Sequence, residues 1–334
     1  MQDNKGLRLT LSWIIRLSIL AFAVTNSGCG GSSVPVDPGD RTVVDVASNG
    51  MYYDAFRNQL WSTVSNTGKY ANSIVAIDPA TGAIMRSIKI GAEPNLICVT
   101  DDGQFAYVSV PSDGTVRRVD LIRSRVTLKI TTGTLVTICP VPGDPHTFLG
   151  GVDPTGGVSV SAYDDGVRRN GTGAGGNFIR MASPTVMYGT GSTSLVKCTL
   201  SPGQITWNSQ TEGLINADFG IHNGLLFDAN GHVVDPVALT SVGQLSTTHF
   251  LPNGRHIALS DSDNRAYIVT WDAVINKQLL CYDLTTQQEL PQRDTGFIPG
   301  GAFDIVACGN HTVAFRDYGA IVEPNKIFIF RNLP

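Results

Sequence analysis

The sequence predicts an all-β fold built from repeated units of about forty residues. An alternating apolar segment runs into an aspartate at a turn five times, at intervals of 42, 44, 71 and 48 residues. The longest interval has room for one degenerate copy, and no segment has the spacing of an amphipathic helix. Repeats of this period that each hold several short strands are typical of β-propellers. The five aspartates are Asp78, Asp120, Asp164, Asp235 and Asp283.

Counting the repeats predicts seven blades. Residues 41–334 number 294, which allows 42 residues for each of seven units and suits a four-stranded antiparallel blade. The first unit contains MYYDAF, QLWSTV, SIVAIDPATG and AIMRSIKI, and the second contains NLICVTDDGQ, FAYVSV, TVRRVD and RVTLKI. Turn-forming Gly, Asn, Asp and Pro separate these runs. We therefore expect each run to form one strand of a blade.

The remaining units are less regular. The third runs from about Leu135 through TFLGGV and VSVSAYDDG, the fourth holds TVMYGTG, SLVKCTL and QITWN, and the sixth ends with a strand around Gln292. The seventh has three obvious strands, FDIVACG, HTVAFRD and KIFIFRN. We predict that TVVDVA, residues 42–47, supplies its fourth strand. Such an exchange between the two ends of the chain closes the ring and removes exposed sheet edges.

The first 28 residues are predicted to be a lipoprotein-like signal peptide. Basic residues precede a short apolar stretch at 17–24, which is too short to span a bilayer. The following TNSGCG segment resembles the lipobox of bacterial lipoproteins, which implies cleavage before Cys29 and attachment of a lipid to that residue. Asn26 departs from the aliphatic residue that the lipobox prefers, so cleavage by an ordinary signal peptidase is the alternative.

Residues 29–41 contain Gly, Ser and Pro and are expected to form a flexible tether, followed by the propeller at 42–334. Gly30 replaces the aspartate of inner-membrane retention signals, so we expect an outer-membrane lipoprotein, with a soluble periplasmic or secreted protein as the alternative. Removing residues 1–28 changes the formal charge from -4 to -6. This acidic balance argues against nucleic acid as the partner. An envelope protein, a glycan or a small molecule is the expected partner, with the membrane reached through the lipid at Cys29.

Five cysteines fall in the predicted propeller, and an odd number of thiols cannot all pair. No CxxC spacing occurs, which argues against a zinc or redox site. Most lie in apolar runs, so buried free thiols are the main interpretation. A bridge between Cys98 and Cys139, at similar places in consecutive repeats, is the alternative in an oxidising compartment. The other three are Cys198, Cys281 and Cys308.

The first two repeats resemble a known family. The pattern SIVAIDPATGAIMRSIKIGAEPN, followed by VTDDGQFAYVSV and VRRVDL, is similar to the YVTN-type repeat of bacterial seven-bladed β-propellers. Weaker copies, GLLFDANGHVVDP and YDDGVRR, extend the resemblance over most of residues 42–334. The resemblance implies a secreted or surface propeller, in a family that includes binding scaffolds and relatives similar to lactonases. A shared fold does not determine a reaction.

The sequence contains no recognisable catalytic or metal-binding motif. It has neither a GxSxG elbow nor an HxH or HExxH pair, and its six histidines are isolated. We therefore predict no catalytic residue, no metal and no cofactor. The repeated aspartates are expected to accept hydrogen bonds from backbone amides two residues ahead, as aspartates do in tight turns.

Propeller ligands usually bind at the mouth of the central channel, where the innermost strands begin. The first residues of these strands give a partial ring of polar side chains, which we expect to bind a ligand. Asp218, Asp304 and His256 are the set to test first. A water-filled channel that merely tolerates polar side chains is the alternative. The six positions are Asn95, Thr137, Arg180, Asp218, His256 and Asp304.

Three functions are compatible with these features. A non-enzymatic, lipid-anchored binding or scaffold protein is favoured, because the chain combines an anchor, a tether and no catalytic motif. A lactonase-like hydrolase acting at the channel mouth is the first alternative. A platform within a larger envelope complex is the second.

Overall fold

The structure is a computed structural model. It describes residues 34–35, 40–153, 157–191, 194–215, 217–246, 256–270, 278–291, 293–294, 302–317 and 326–334. These residues lie within one compact unit, Ser32–Pro334. The predicted signal peptide and Cys29 lie outside the described residues. Within the described part of the chain, no helix has the length and apolar character that crossing a membrane requires.

The strands of the described residues are numbered β1 to β30 in chain order, and they assemble into seven sheets. The first two strands are β1, Val34–Pro35, and β2, Arg41–Val44. Blade 1 contains β3 Ser48–Asp54, β4 Gln59–Val64, β5 Ser73–Ile77 and β6 Ile84–Lys89. Blade 2 contains β7 Ile97–Val99, β8 Phe105–Val110, β9 Thr115–Asp120 and β10 Arg125–Thr131. A single-turn 3-10 helix, Pro111–Asp113, joins β8 to β9.

Blade 3 contains β11 Leu135–Val141, β12 Asp144–Val152, β13 Ser159–Asp164, β14 Val167–Arg168 and β15 Gly173–Ala174. Blade 4 contains β16 Phe178–Ser183, β17 Val186–Thr190, β18 Ser194–Ser201 and β19 Gln204–Glu212. Blade 5 contains β20 Phe219–His222, β21 Leu225–Asp228, β22 His232–Asp235 and β23 Thr240–Gln244. Blade 6 contains β24 Ile257–Ser260, β25 Arg265–Thr270, β26 Gln278–Asp283 and β27 Arg293–Asp294. Blade 7 contains β28 Ala302–Ala307, β29 Val313–Asp317 and β30 Ile327–Phe330.

The seven sheets form a ring around a central channel. Consecutive strands within each blade pair in antiparallel fashion, except that β15 of blade 3 pairs with β13, and the first strand of each blade is innermost. The innermost strands β3, β7, β11, β16, β20, β24 and β28 each contact the next one, and β28 contacts β3. This arrangement confirms the predicted seven-bladed β-propeller.

The two ends of the propeller meet in blade 7, as the sequence predicts. Strand β2 pairs antiparallel with β30 and becomes the outermost strand of that blade. The Arg331 guanidinium donates to the Thr42 hydroxyl and to the Pro79 carbonyl, both at 2.9 Å. The Asn332 amide donates to the Asp40 carboxylate at 2.6 Å. These side-chain bonds tie the C-terminal strand to the N-terminal segment and to blade 1.

The closing strand is shorter than the predicted segment 42–47. It spans Arg41–Val44, because the amide of Val46 donates to the carbonyl of Val44 and turns the chain toward blade 1. Three residues of the predicted tether, 29–41, also join sheets, since Arg41 begins β2 and Val34 and Pro35 form β1. Strand β1 runs parallel to β27, with Val34 opposite Arg293.

The apolar core lies between neighbouring blades. Every residue of β8 is buried, whereas the outer strand β6 alternates partly buried and exposed residues along most of its length. The middle strands of a blade are covered by one neighbouring blade on each face. β-branched and aromatic residues suit strands that are buried in this way. Trp61, for example, is fully buried with Ile74 and Ile88 of its own blade and Val108 of blade 2.

All five cysteines of the propeller are buried, and none is in a disulfide. Cys98 packs with Phe148 between blades 2 and 3, whereas Cys139 packs with Ile179 between blades 3 and 4. The two thiols thus belong to different inter-blade cores, so the alternative bridge between them is not formed. Burial raises the pKa of both thiols, which keeps them protonated and unreactive.

Candidate functional site

A cavity of about 1060 Å³ lies in the central channel. Residues of the innermost strands of all seven blades line it, with Arg316 added from the second strand of blade 7. All six positions singled out from the sequence contribute to this one lining. They are Asn95, Thr137, Arg180, Asp218, His256 and Asp304.

Three of these side chains form a network across three blades. Arg180 lies in β16, Asp218 directly precedes β20, and His256 directly precedes β24. Nη2 of Arg180 donates to Oδ1 of Asp218 at 2.8 Å, and Nδ1 of His256 lies 3.3 Å from Oδ2 of Asp218. Because an ionised carboxylate only accepts hydrogen bonds, Nδ1 is the donor in this pair.

Asp218 is the centre of the network. Its side chain is 6% exposed, and its Oδ1 also accepts from the amide of Phe219 at 2.9 Å. Both carboxylate oxygens are therefore engaged, by blades 4, 5 and 6 together. The sequence places Asp218 at a point where the chain enters an inner strand, so its carboxylate can reach both neighbouring blades.

Arg180 extends into the channel. Its side chain is 40% exposed, its Nη1 donates to the carbonyl of Ile179 at 3.0 Å, and its guanidinium lies over the Phe219 ring at 5.9 Å. Burial lowers the pKa of Arg180, but Asp218 together with weaker contributions from other groups, Asp304 among them, outweighs this effect, and the pKa is raised overall. The guanidinium is therefore a permanent charge in the channel.

Blade 7 contributes a second, looser ion pair. Oδ2 of Asp304, in β28, lies 3.8 Å from Nε of Arg316, in β29. The Asp304 side chain is 31% exposed, whereas that of Arg316 is 9% exposed. Burial lowers the pKa of Arg316, although Asp304 and Asp317 oppose this effect.

The opposite side of the channel is uncharged. Among the described lining residues of blades 1 to 3, none has an ionised side chain at neutral pH. Thr137 is 6% exposed, and Asn95 contributes a carbonyl that accepts from the Thr63 hydroxyl at 2.5 Å. A Cβ on Gly50 would lie only 2.7 Å from that carbonyl, so the close approach of β3 to blade 2 requires glycine there.

Sequence reasoning missed the contributions of blade 1 and of Arg316. The innermost strand of blade 1 begins at Ser48, three residues before the predicted run MYYDAF, so no residue of that blade was assigned to the ring. Asn49 and Tyr52 line the cavity from this strand. Arg316 lies on a second strand, and its signal was an arginine directly after the apolar run VAF.

Four of the five repeated aspartates bind the backbone of their own turn, as predicted. Oδ1 of Asp235 accepts from the amides of Val237 and Ala238 at 2.8 and 3.0 Å. These turns join the third and fourth strands, away from the channel. The same local pattern joins Asp78 to Ala80, Asp120 to Arg123, and Asp283 to Thr285 and Thr286.

Asp164 departs from this pattern. Its carboxylate accepts from the Thr147 hydroxyl at 2.6 Å and from Nε of Arg169 at 2.8 Å. The turn that follows has only two residues, Asp165 and Gly166, with φ values of 47° and 87°. This tight hairpin leaves no stretch of backbone amides that could close onto the carboxylate.

No group of three His, Cys, Asp or Glu side chains in the described ranges is arranged to hold a metal ion. The predicted absence of metals and cofactors therefore stays a prediction. The chemistry that the described channel offers is hydrogen bonding and ion pairing by Arg180, Asp218, His256, Asp304 and Arg316.

Comparison with known proteins identifies the fold but no family. No family model matches the chain, and no curated protein matches it. The β-propeller domain of Cps50 (Swd1) from Myceliophteria thermophila is similar in structure, with a TM-score of 0.65, 11% sequence identity, and 87% of this chain and 99% of that chain covered.

Two other solved structures are also similar, one of them with a lower TM-score. U3-55K has a TM-score of 0.65 and 10% identity, with 89% of this chain and 99% of that chain covered. The hydrazine synthase of Kuenenia stuttgartiensis has a TM-score of 0.59 and 12% identity, with 86% of this chain and 95% of that chain covered. At these identities the likeness establishes the propeller fold alone.

Proposed function

We propose that the protein is a non-enzymatic binding module of the cell envelope, which holds a ligand in its central channel. The network of Arg180, Asp218 and His256 carries this proposal. Two polar side chains, Arg180 and His256, converge from neighbouring blades on the Asp218 carboxylate within a cavity of about 1060 Å³. Cavities of this size with a few convergent polar groups are the usual form of small-molecule sites.

The proposal includes the membrane anchor and the family. We propose that Cys29 carries a lipid, because the TNSGCG segment resembles a lipobox. We also propose kinship with YVTN-type propellers, on the repeat pattern of blades 1 and 2. Replacing Cys29 with serine in a bacterial host tests the anchor, since loss of alkyne-palmitate labelling and release from membranes are expected. Equal labelling of wild type and Cys29→Ser would contradict it.

Ligand-induced stabilisation tests the binding function. The full chain is melted in the presence of panels of amino acids, sugars, organic acids and nucleotides. A ligand at one hundred times its Kd raises the free energy of unfolding by about 2.7 kcal/mol. We expect at least one class to stabilise the wild type but not Asp218→Ala. Asp235→Ala is the matched control in the same blade. It is expected to keep the response, because the hydrogen bonds of the Asp235 carboxylate within the described structure come from its own turn.

A lactonase-like hydrolase is the second candidate. The pairing of His256 with Asp218 favours it, because a carboxylate that orients an imidazole can prepare it as a general base. Turnover of a lactone panel by the wild type, abolished in Asp218→Ala and retained in Asp235→Ala, would establish this function and overturn the non-enzymatic proposal. Binding without turnover supports the first candidate.

A further inference from the structure

The charges of the channel are balanced and divided between two sites. Arg180 and Asp218 form one pair, and Arg316 and Asp304 form the other. Among the described lining residues, the formal charges of these two arginines and two aspartates therefore sum to zero. A ligand with a net charge would leave that charge uncompensated inside the channel, which is costly in a partly desolvated site.

The site on blade 4 presents hydrogen-bond donors. A guanidinium has five N–H groups, and within the described structure Arg180 uses one toward Asp218 and one toward Ile179. Asp218 has both oxygens engaged and offers little to a ligand. The exposed part of Arg180 therefore suits a group that only accepts, and its fork geometry matches a carboxylate.

The site on blade 7 presents an acceptor. A carboxylate has about four lone-pair positions. Within the described part of the chain, the one contact of the Asp304 carboxylate is the 3.8 Å ion pair with Arg316, which is too long for a hydrogen bond. Its side chain is 31% exposed. Asp304 can therefore accept hydrogen bonds from a cationic group, such as an ammonium.

The two sites face one channel from well-separated blades. Blades 4 and 7 are three positions apart, which is the largest separation in a ring of seven. Both residues line the same cavity, and the charge of Asp304 still acts on Arg180 across it. A ligand that reaches both must carry its acceptor and its donor at opposite ends.

We propose that the channel binds a small zwitterion, with its carboxylate at Arg180 and its ammonium at Asp304. This inference rests on the proposed binding function and names the chemical class of the ligand. The uncharged wall of blades 1 to 3 then lies beside the segment that joins the two charged ends. A zwitterion has no net charge, so it matches the balanced channel and satisfies both exposed groups at once.

A series of ω-amino acids tests the proposal. Glycine, β-alanine, γ-aminobutyrate, 5-aminovalerate and 6-aminohexanoate differ only in the distance between ammonium and carboxylate. Titration calorimetry with the full chain is expected to give one best length, because the two protein groups are fixed. The N-acetyl derivative and the methyl ester of that compound should each bind about 10-fold to 100-fold more weakly, since each loses one charge-assisted contact.

Variants separate the two ends of the ligand. Arg180→Gln should weaken the best compound and remove the preference for it over its methyl ester. Asp304→Asn should weaken it and remove the preference over its N-acetyl derivative. Within the described structure, Asp304 forms no hydrogen bond or ion pair with Arg180, Asp218 or His256, so this variant remains informative even if Arg180→Gln perturbs the fold. Arg123→Gln and Asp235→Asn, both in outer turns, are the matched controls and should bind as the wild type does.

Failure of this inference differs from failure of the binding function. Binding of no member of the series, or equal binding by wild type and Asp304→Asn, overturns the zwitterion. Equal binding of butyrate or butylamine overturns it as well. If another class stabilises the wild type but not Asp218→Ala, the channel is a binding site for a different ligand. If no class does so, both proposals are wrong.

Discussion

Asp218 and Asp235 belong to the same blade and lie 17 residues apart in the sequence. Asp235, at the outer turn, accepts from two amides within three residues of itself. Asp218, at the channel, accepts from its own blade and from both neighbouring blades, through Arg180 and His256. The Asp235 carboxylate stabilises one turn, and the Asp218 carboxylate joins three blades.

The difference shows how a repeat protein separates its fold from its site. The outer aspartates recur because blades 1, 2, 5 and 6 use a similar turn between their third and fourth strands. Among the described channel residues, Asp218 differs from Asp304 because its carboxylate joins side chains of two neighbouring blades, Arg180 and His256, whereas Asp304 pairs with Arg316 of its own blade. Aspartates that recur at the outer turns therefore serve the fold. Channel residues that differ from blade to blade at equivalent positions indicate the candidate site.

The largest effect is expected at the channel. Asp218→Ala removes the partner of Arg180, the acceptor for Phe219 and the contact with His256. We expect the free energy of unfolding to fall by about 3 kcal/mol, because loss of one member of a largely buried ion pair leaves the other uncompensated. Urea denaturation measures this change. A loss no greater than that of an outer aspartate would remove the distinction between the two regions.

A smaller loss is expected at a buried outer turn. Oδ1 of Asp120 accepts from the Arg123 amide at 2.7 Å, and the Asp120 side chain is 4% exposed. Asp120→Ala should lower the free energy of unfolding by about 1.5 kcal/mol, the range of hydrogen bonds to charged groups. Ligand-induced stabilisation should be unchanged. A loss of ligand response in this variant would show that the outer turns also control the channel.

Acid should weaken the outer turns. Burial raises the pKa of Asp120, but the Arg123 amide and guanidinium outweigh it, and the pKa is lowered overall. The Thr286 amide lowers that of Asp283. A lowered pKa adds stability above the unfolded value near 4, which is lost as pH falls through the folded value. The stability lost between pH 7 and pH 3 should therefore be smaller in Asp120→Asn than in the wild type.

Asp228 provides a control of opposite sign for the pH experiment. Burial raises its pKa, although His232 partly compensates. Its favourable contribution is therefore present below the unfolded value and lost as pH rises through the folded value. Asp228→Asn should make the decline in stability between pH 7 and pH 3 steeper. A shallower decline of stability in Asp228→Asn than in the wild type would show that folding does not raise the pKa of Asp228.

The smallest effect is expected at the partly exposed turn of Asp78. Asp78 accepts from the Ala80 amide at 2.9 Å and from the Thr81 hydroxyl at 2.7 Å. An asparagine retains one acceptor for the amide, so Asp78→Asn should change the free energy of unfolding by less than about 0.5 kcal/mol. Thermal melting of the two proteins side by side checks this. A loss comparable to that of Asp120→Ala would show that charge, rather than turn geometry, dominates these sites.

Sequence reasoning was most successful where the repeat is regular. QLWSTV and FAYVSV coincide with Gln59–Val64 and Phe105–Val110, because runs of β-branched and aromatic residues bounded by turn residues leave one interpretation. The ring closure could be predicted because the seventh unit has only three strands and the segment 42–47 adds a strand before the first unit. The strand at the start of blade 1 was assigned too late, because Ser48, Asn49 and Gly50 have low strand propensity.

The contacts of the site could be predicted only in part. Position in the repeat identified Arg180, Asp218 and His256, since each lies at the start of an inner strand. Whether these side chains pair depends on the distances between neighbouring blades, and the pattern of residues within a single strand does not determine those distances. Arg316 was missed for a related reason, because its guanidinium reaches Asp304 from the neighbouring strand.

The closure of blade 7 has a consequence for the order of folding. Thr42 is made early, but its partner Arg331 is 289 residues further along the chain. Until that partner has been synthesised, β2 has an unpaired edge and blade 7 lacks its outer strand. Such edges invite pairing with other chains, and contacts this distant form late. A chain truncated before β30 would therefore expose the unpaired edges of β2 and of blade 7, where chaperones can bind and proteases can cut.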